Sequence, residues 1–270
     1  MVANDAVFAG SVPEIYDRLL VPLIFTSYAR DLTERLVKLK PGNVLETAAG
    51  TGAVTRAMAA KLPADVHMTV TDLNQPMLDR AKAHLGHDTR ITWMPADAQA
   101  LPFDDQSFDA VVCQFGVMFY PDKAKGYGEA RRVLRPGGTF LFDVWDRISE
   151  NAFVNVINAT LADMFAGNPP SFMVRAPHGY FDMDVIRNEL KAAGFTAVNV
   201  ETINHVAKAA SARDVATAYC QGTPLRAEIE QRGGVGLEKI TDIVTDALAK
   251  AFGAGPVEGA IKAFMISAMR

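Results

Sequence analysis

Cysteine is scarce in this chain, and so is clustered positive charge. Only Cys113 and Cys220 occur in 270 residues. They lie far apart with no metal-ligand spacing, so neither a disulfide framework nor a zinc site is expected. Cys113 falls in an apolar run and reads as a small buried residue of a strand. No basic run exceeds Arg131-Arg132 and the formal net charge is −4, which argues against the basic stripe that binding to a nucleic-acid backbone requires. No stretch approaches the roughly 20 apolar residues of a membrane span. Met1-Val2-Ala3-Asn4-Asp5 has neither the charged nor the apolar region of a signal peptide, so a soluble, cytoplasmic protein is expected. Internal repeats and long low-complexity linkers are also missing. What remains is a composition of 49% hydrophobic and 21% charged residues, that of a globular chain able to bury a sizeable core.

The most informative segment is Val44-Leu45-Glu46-Thr47-Ala48-Ala49-Gly50-Thr51-Gly52. A short apolar run ends in an acid and a glycine-rich turn, and the helix-compatible stretch Ala53 to Lys61 follows at once. Glycines allow positive φ and close approach of a ligand to the backbone, and the N-terminus of the following helix favours polar ligand groups. A dinucleotide fingerprint needs G-x-G-x-x-G/A, but counted from Gly50 the sixth position is Thr55. Counted from Ala48 the pattern is A-x-G-x-G with Glu46 two residues earlier. A carboxylate there repels a pyrophosphate and favours a cationic amine. The turn suits an amino-acid-bearing nucleoside better than NAD.

This turn resembles motif I of the class I S-adenosylmethionine (SAM) methyltransferases, and four further segments follow in the family's order. Val70-Thr71-Asp72-Leu73-Asn74 is similar to the end of the second strand, and Asp72 stands twenty residues beyond Gly52. Ala96-Asp97-Ala98 before Leu101-Pro102-Phe103 is similar to the third-strand motif. Phe108 to Phe115 resembles the fourth strand, and Arg132-Val133-Leu134-Arg135-Pro136-Gly137-Gly138 the turn into the fifth. Each match is weak alone; the ordered series is strong. The departure is Ala48, where the family has glycine. Alanine is acceptable there if φ is negative, with slightly tighter packing expected near the methionine portion of the cofactor.

The resemblance implies SAM as cofactor and S-adenosylhomocysteine as product. It implies a Rossmann-like, seven-stranded, mostly parallel sheet with an antiparallel last strand, helices on both faces and helical cap insertions. Its residues carry over as follows. Glu46 holds the amino-acid end, while Ala48, Gly50, Thr51 and Gly52 form the turn. Asp72 takes the ribose hydroxyls, and Leu73 and Met77 wall the adenine. Asp97 meets the adenine amine with Ala98 beside it, and Gln114 closes the fourth strand. Tyr16, in an N-terminal segment of the kind that covers the cofactor in related enzymes, is a further contact.

Alternation of apolar runs with helical stretches predicts strands over Asn43–Thr47, His67–Thr71, Arg90–Met94, Asp109–Phe115 and Thr139–Trp145, then Thr196–His205 and Ala260–Met269. Helix pattern fills Asp182 to Ala193 and ends at Gly194, a typical left-handed cap. One domain is expected over 1–270: an N-terminal cap (1–30), the SAM-binding core (31–146), a lid insertion (147–181), a core continuation (182–206), a helical insertion (207–258) with breaks at Gly222-Thr223-Pro224, Gly233-Gly234 and Gly253 to Pro256, and the last strand (259–270). Asn168-Pro169-Pro170-Ser171 resembles an N-methyltransferase signature but lies far from the fourth strand, and reads as a proline-rich turn.

The acceptor is less legible. Phe165, Phe172, Met164 and Met173 in the lid insertion favour a small apolar or aromatic molecule. The motifs are most similar to the methyltransferase subgroup that includes the ubiquinone and menaquinone enzymes, a resemblance that speaks for reaction type and not for a particular quinone. His178, His205, Asp143 and Asp146 are formally available as bases; His178 is the candidate catalytic residue, against the plainer reading of a loop histidine in solvent. Two other functions compete: a SAM- or apolar-ligand-binding protein without turnover, and an NAD-dependent oxidoreductase, which Thr55 and Asp97 oppose. A homodimer is possible, and no metal is expected.

Overall fold

The computed structural model of the chain describes residues 5, 8 and 10–270. Residues 1–4, 6, 7 and 9 of the expected N-terminal cap lie outside the described residues. Seven strands form one sheet in the order β3-β2-β1-β4-β5-β7-β6. They are β1 (Asn43–Glu46), β2 (His67–Asp72), β3 (Ile91–Pro95), β4 (Phe108–Gln114), β5 (Leu134–Trp145), β6 (Ala197–Ala209) and β7 (Val257–Met269). The pairs β1/β2, β1/β4, β2/β3 and β4/β5 are parallel. The last strand runs antiparallel: Thr196 N donates to Met269 O at 3.0 Å and Arg270 N to Gly138 O at 2.9 Å, so the end of β7 meets the start of its neighbours. The expected Rossmann-like fold is therefore present.

Each predicted strand exists, with differences at the ends. The largest is at β5, which begins at Leu134 and not Thr139. Phe108 pairs with Leu134 and Ala110 with Thr139, so the extra residues, including Gly137 at φ +80°, bulge out of the ladder. A bulge lets a Pro-Gly-Gly segment remain within a strand. β6 likewise continues to Ala209, past the predicted His205.

The chain divides into two compact units. One comprises Thr26–Val144, Phe181–Ile203 and Phe264–Arg270. The strands β1, β4 and β5 are buried over most of their length, as central strands of a parallel sheet covered on both faces demand, whereas β6 is exposed or half-buried over most of its length. Val44, Val70, Ala110, Val112 and Leu141 pack with Leu32, Leu36, Val54 and Met58 in one buried cluster. The helices Thr26–Leu39 and Ala53–Lys61 pack together. The helix Lys123–Val133 packs against Met183–Ala192, whose end is fixed by Gly194 at φ +92° and by Arg131 Nε donating to Gly194 O at 2.9 Å.

The other unit comprises the described part of Met1–Phe25 with Trp145–Tyr180 and Asn204–Ala263. It gathers segments that the sequence presents as separate caps, and its first segment ends at Phe25. Tyr16–Phe25 is wound as a wide π-helix containing Pro22. The helices Ala152–Met164 and Ala212–Gln221 both pack on Leu237–Phe252. Arg175 joins Asp5 to Glu228, the latter at 2.8 Å. Pro169 and Pro170 lie in the connection between Ala152–Met164 and the short helix Phe172–Arg175. Among the described residues, no helix is long and apolar enough to cross a membrane.

Candidate active site

β1 delivers Glu46 to the carboxyl edge of the sheet, where ligands of open α/β sheets bind. Only 2% of Glu46 is exposed, and its Oε2 accepts a hydrogen bond from Thr55 Oγ1 at 2.6 Å. Burial, reinforced by Asp72, pushes its carboxyl up to about 8 against the opposing pull of Thr55. Thr55, which breaks the dinucleotide pattern, is thus the partner of the motif acid.

The turn above is built from left-handed backbone: Ala48 φ +52°, Gly50 φ +57° and Gly52 φ +83°. The condition of negative φ under which alanine is unstrained there is therefore not met. The turn demands the left-handed region whichever residue is there, and alanine bears a cost of about 1–2 kcal/mol to enter it. Its methyl fits because Gly116 lies opposite: a Cβ on Gly116 would sit 2.6 Å from Ala48 Cβ. The tightness falls on Gly116. Gly52 serves twice, since a Cβ there would also meet Ala81 Cβ at 3.0 Å. No side chain caps the helix that starts at Ala53, and the Thr51 hydroxyl is buried without a hydrogen-bond partner among the described residues.

Asp72, at the end of β2, is tied to this turn. Its Oδ2 accepts from Gly50 N at 2.8 Å and its Oδ1 from Asn74 N at 2.7 Å. Asn74 Nδ2 also donates to Oδ1 at 3.3 Å. Burial raises the Asp72 pKa against these donors, and Oδ2, which accepts from Gly50 N, has acceptor capacity for another donor. Leu73 follows, 60% exposed, a large apolar side chain left beside an acid at the ligand-binding edge. Met77 is buried in the core. Asp97 is half-buried and closes a local turn, its Oδ1 accepting from Gln99 N at 2.8 Å; Ala98 is half-buried beside it. Gln114 ends β4, also half-buried.

Tyr16 and His178 belong to the other unit. Tyr16 stacks on Phe25 at 5.2 Å and meets Phe8 edge-on at 5.8 Å. Phe25 lies 6.1 Å from Trp145, and Trp145 lies 6.0 Å from the His178 ring. His178 is 6% exposed, so the reading of a loop histidine in solvent is wrong. Its Nδ1 lies 2.8 Å from Asp146 O, and a carbonyl only accepts, so Nδ1 carries the proton and Nε2 the lone pair. Burial lowers its pKa to about 4. Asp146 is committed to Lys262 at 3.4 Å, and Asp143 is fully buried. His205 is half-buried on β6.

A family model described as a methyltransferase domain matches residues 44–138. The demethylmenaquinone methyltransferase of Clavibacter sepedonicus is 30% identical over 164 residues, 57% of this chain and 66% of that protein. The ubiquinone/menaquinone biosynthesis C-methyltransferase UbiE of Bradyrhizobium diazoefficiens is 30% identical over 179 residues, 61% of this chain and 70% of that protein. The chain belongs to the class I SAM-dependent methyltransferases. It spans just under two thirds of the Clavibacter protein's length.

Solved structures extend the likeness in fold. The YcgJ protein of Bacillus subtilis superposes with a TM-score of 0.57 at 17% identity, covering 89% of this chain and 98% of that one. The [4+2]-cyclase SpnF gives 0.55 at 18%, covering 88% and 80%. Fold alone does not select a reaction. Members of the methyltransferase family use SAM and release S-adenosylhomocysteine.

Three features of this methyltransferase fit that cofactor: a glycine cradle that a Cβ would fill, a buried Thr51 hydroxyl without a partner, and an exposed Leu73 next to an acid. Sequence reasoning missed Tyr120 and Gly116, and considered Asp143 only as a possible base. Tyr120 OH lies 3.3 Å from Thr47 Oγ1 and 3.4 Å from Cys113 Sγ, beneath the turn. Gly116 faces Ala48, and Asp143 holds the Phe115 amide at 2.7 Å. Only Asp143 carried a signal, as an acid within an apolar strand.

Proposed function

We propose that this methyltransferase moves the SAM methyl to a small apolar or aromatic acceptor, with a hydroxylated ring as the best-fitting class. The observation that carries this reading is the series of rings Phe8, Tyr16, Phe25, Trp145 and His178, ring to neighbouring ring at 5.2 to 6.1 Å. Aromatic faces favour planar apolar ligands. A neutral His178 keeps Nε2 as an acceptor for a hydroxyl. Relatives named for demethylmenaquinone and for ubiquinone and menaquinone support the same class.

Bound SAM supplies an electrophilic sulfonium methyl; the protein's part is positioning and electrostatics. Asp72 would accept the ribose hydroxyls, Leu73 would wall the adenine, and Asp97 would take the adenine amine. Gly50 and Gly52 admit close backbone approach, and Glu46 lies beneath the turn where an ionised carboxylate favours the cofactor's ammonium group. Replacing Asp72 by Ala is expected to weaken SAM binding by about 1–3 kcal/mol, the range for losing a charged hydrogen-bond partner. Titration calorimetry measures it, and unchanged affinity in a folded Asp72→Ala protein removes Asp72 from the site.

The acceptor class is tested with methyl-labelled SAM and two panels, hydroxylated aromatics including quinols, and small charged amines. Label is expected in the aromatic panel, and mass spectrometry of the product locates it on carbon or oxygen. Label confined to the amines overturns this reading.

A further inference from the structure

β4 ends at Gln114, and the chain then turns sharply. Phe115 adopts φ +48°, a left-handed conformation that a bulky residue rarely enters. Two contacts oppose its relaxation. Its ring packs edge-on against Tyr28 at 5.3 Å, and its N–H donates to Asp143 Oδ1 at 2.7 Å. Gly116 follows at φ −102°, an ordinary backbone value, so glycine is there for space and not for conformation. That space is occupied by Ala48 Cβ and Cys113 Sγ, each 2.6 Å from where a Cβ would stand. The turn after β4 and the turn after β1 are therefore fitted into each other.

Asp143 is the polar side chain that holds the Phe115 amide from below. It is fully buried in β5, at the register position opposite Gln114. Its Oδ2 has no hydrogen-bond partner among the described residues. Burial holds its carboxyl well above the usual carboxylate range, while Oδ1 accepts from the Phe115 amide. An orphaned polar atom in a core is a cost that an apolar residue would not incur. What the position gains in return is the bond to the Phe115 amide.

We propose that Asp143 is a positioning residue for cofactor binding, which locks Phe115–Gly116 against Ala48 and so fixes the 48–52 turn in the shape that receives SAM. The proposal rests on the assignment of that turn as the cofactor's seat. Asp143 touches neither cofactor nor acceptor in this role. Its effect reaches the cofactor through the Phe115 amide, the Gly116 backbone and the Ala48 methyl in succession.

The test uses the full chain, titration calorimetry with SAM and a melting curve for every variant. Asp143→Asn keeps the Oδ1 acceptor for the Phe115 amide, and is expected to bind within about twofold of the unsubstituted protein. Asp143→Leu loses the acceptor and is expected to bind roughly tenfold more weakly. Adding Phe115→Gly to Asp143→Leu is the deciding arm. Glycine adopts positive φ freely, so affinity should recover, while loss of the buried ring lowers the melting temperature further. A merely structural role predicts that affinity and melting temperature fall together, and that result overturns the proposal. So does wild-type affinity in Asp143→Leu when Asp72→Ala is impaired. Should Asp143→Leu not fold, Asp143→Ser carries the same arms. If Asp72→Ala also binds normally, the assignment of the turn itself fails and the proposal with it.

Discussion

Gly116→Ala is expected to destabilise the protein by about 1–3 kcal/mol, the usual range for overpacking a closed core, and Ala48→Gly in the same chain to return part of that loss. The added methyl would stand 2.6 Å from both Ala48 Cβ and Cys113 Sγ. Neither neighbour is the end of a long side chain that can swing away. Ala48 sits on a turn at φ +52° and Cys113 is fully buried in β4. The backbone at Gly116 accepts any residue, so conformational strain at that position contributes nothing and the effect reads packing alone. Ala48→Gly by itself should be close to neutral. It relieves about 1–2 kcal/mol of left-handed strain but gives up roughly 0.8 kcal/mol of methyl burial and restores freedom to the unfolded chain. Denaturant unfolding of the two single variants and the double variant closes the cycle. A coupling of about 0.5–3 kcal/mol is expected for residues in direct contact. Strict additivity would mean that the two turns do not touch and that glycine at 116 serves another purpose.

That pair also shows what a sequence displays and what it withholds. The strand–turn–helix of motif I and the spacing from Gly52 to Asp72 were legible because they are local: one helix and one strand fix twenty residues. The same holds for Gly194, whose left-handed φ follows from its place after a helix. The strain at Ala48 was not legible because a backbone angle is imposed by the whole turn, and its compensation at Gly116 lies in another strand's loop. The early start of β5 was hidden because Pro-Gly-Gly reads as a turn, and only the pairing with Phe108 turns it into a bulge. His178 reads as a solvent-exposed loop residue because Pro177 and Gly179 flank it; its burial against Trp145 is a tertiary contact. Helical pattern marks 207–258 without naming what its apolar faces meet. Ala212–Gln221 and Leu237–Phe252 meet each other, and Leu237–Phe252 also meets Ala152–Met164, which the sequence presents only as part of a lid insertion.

Glu46→Gln is expected to flatten the pH dependence of stability and to abolish a proton release on SAM binding. The folded carboxyl lies at about 8 against an ordinary 4.5, chiefly through burial. A raised carboxyl binds its proton more tightly in the folded state, so its contribution to stability is fully present below pH 4.5 and is lost as pH rises through 8. The full swing is on the order of a few kcal/mol. Glutamine keeps an acceptor for the Thr55 hydroxyl but cannot ionise. Wild type and variant should thus be close in stability near pH 5, with the variant ahead near pH 8.5. Asp72 and Asp143, also raised by burial, leave a common slope in both proteins, so the difference between them is the quantity to read. Denaturant midpoints from pH 5 to 9 supply it; parallel curves would show that Glu46 titrates as an ordinary carboxylate. The same group links to the cofactor. At pH 7 it is mostly protonated, and an ammonium group brought to the turn favours its ionised form. SAM binding should then release a proton, detected by calorimetry in two buffers of different ionisation enthalpy, with the release absent from Glu46→Gln. Equal proton release in both proteins would place the cofactor's amine elsewhere and leave Glu46 as the anchor of Thr55 alone.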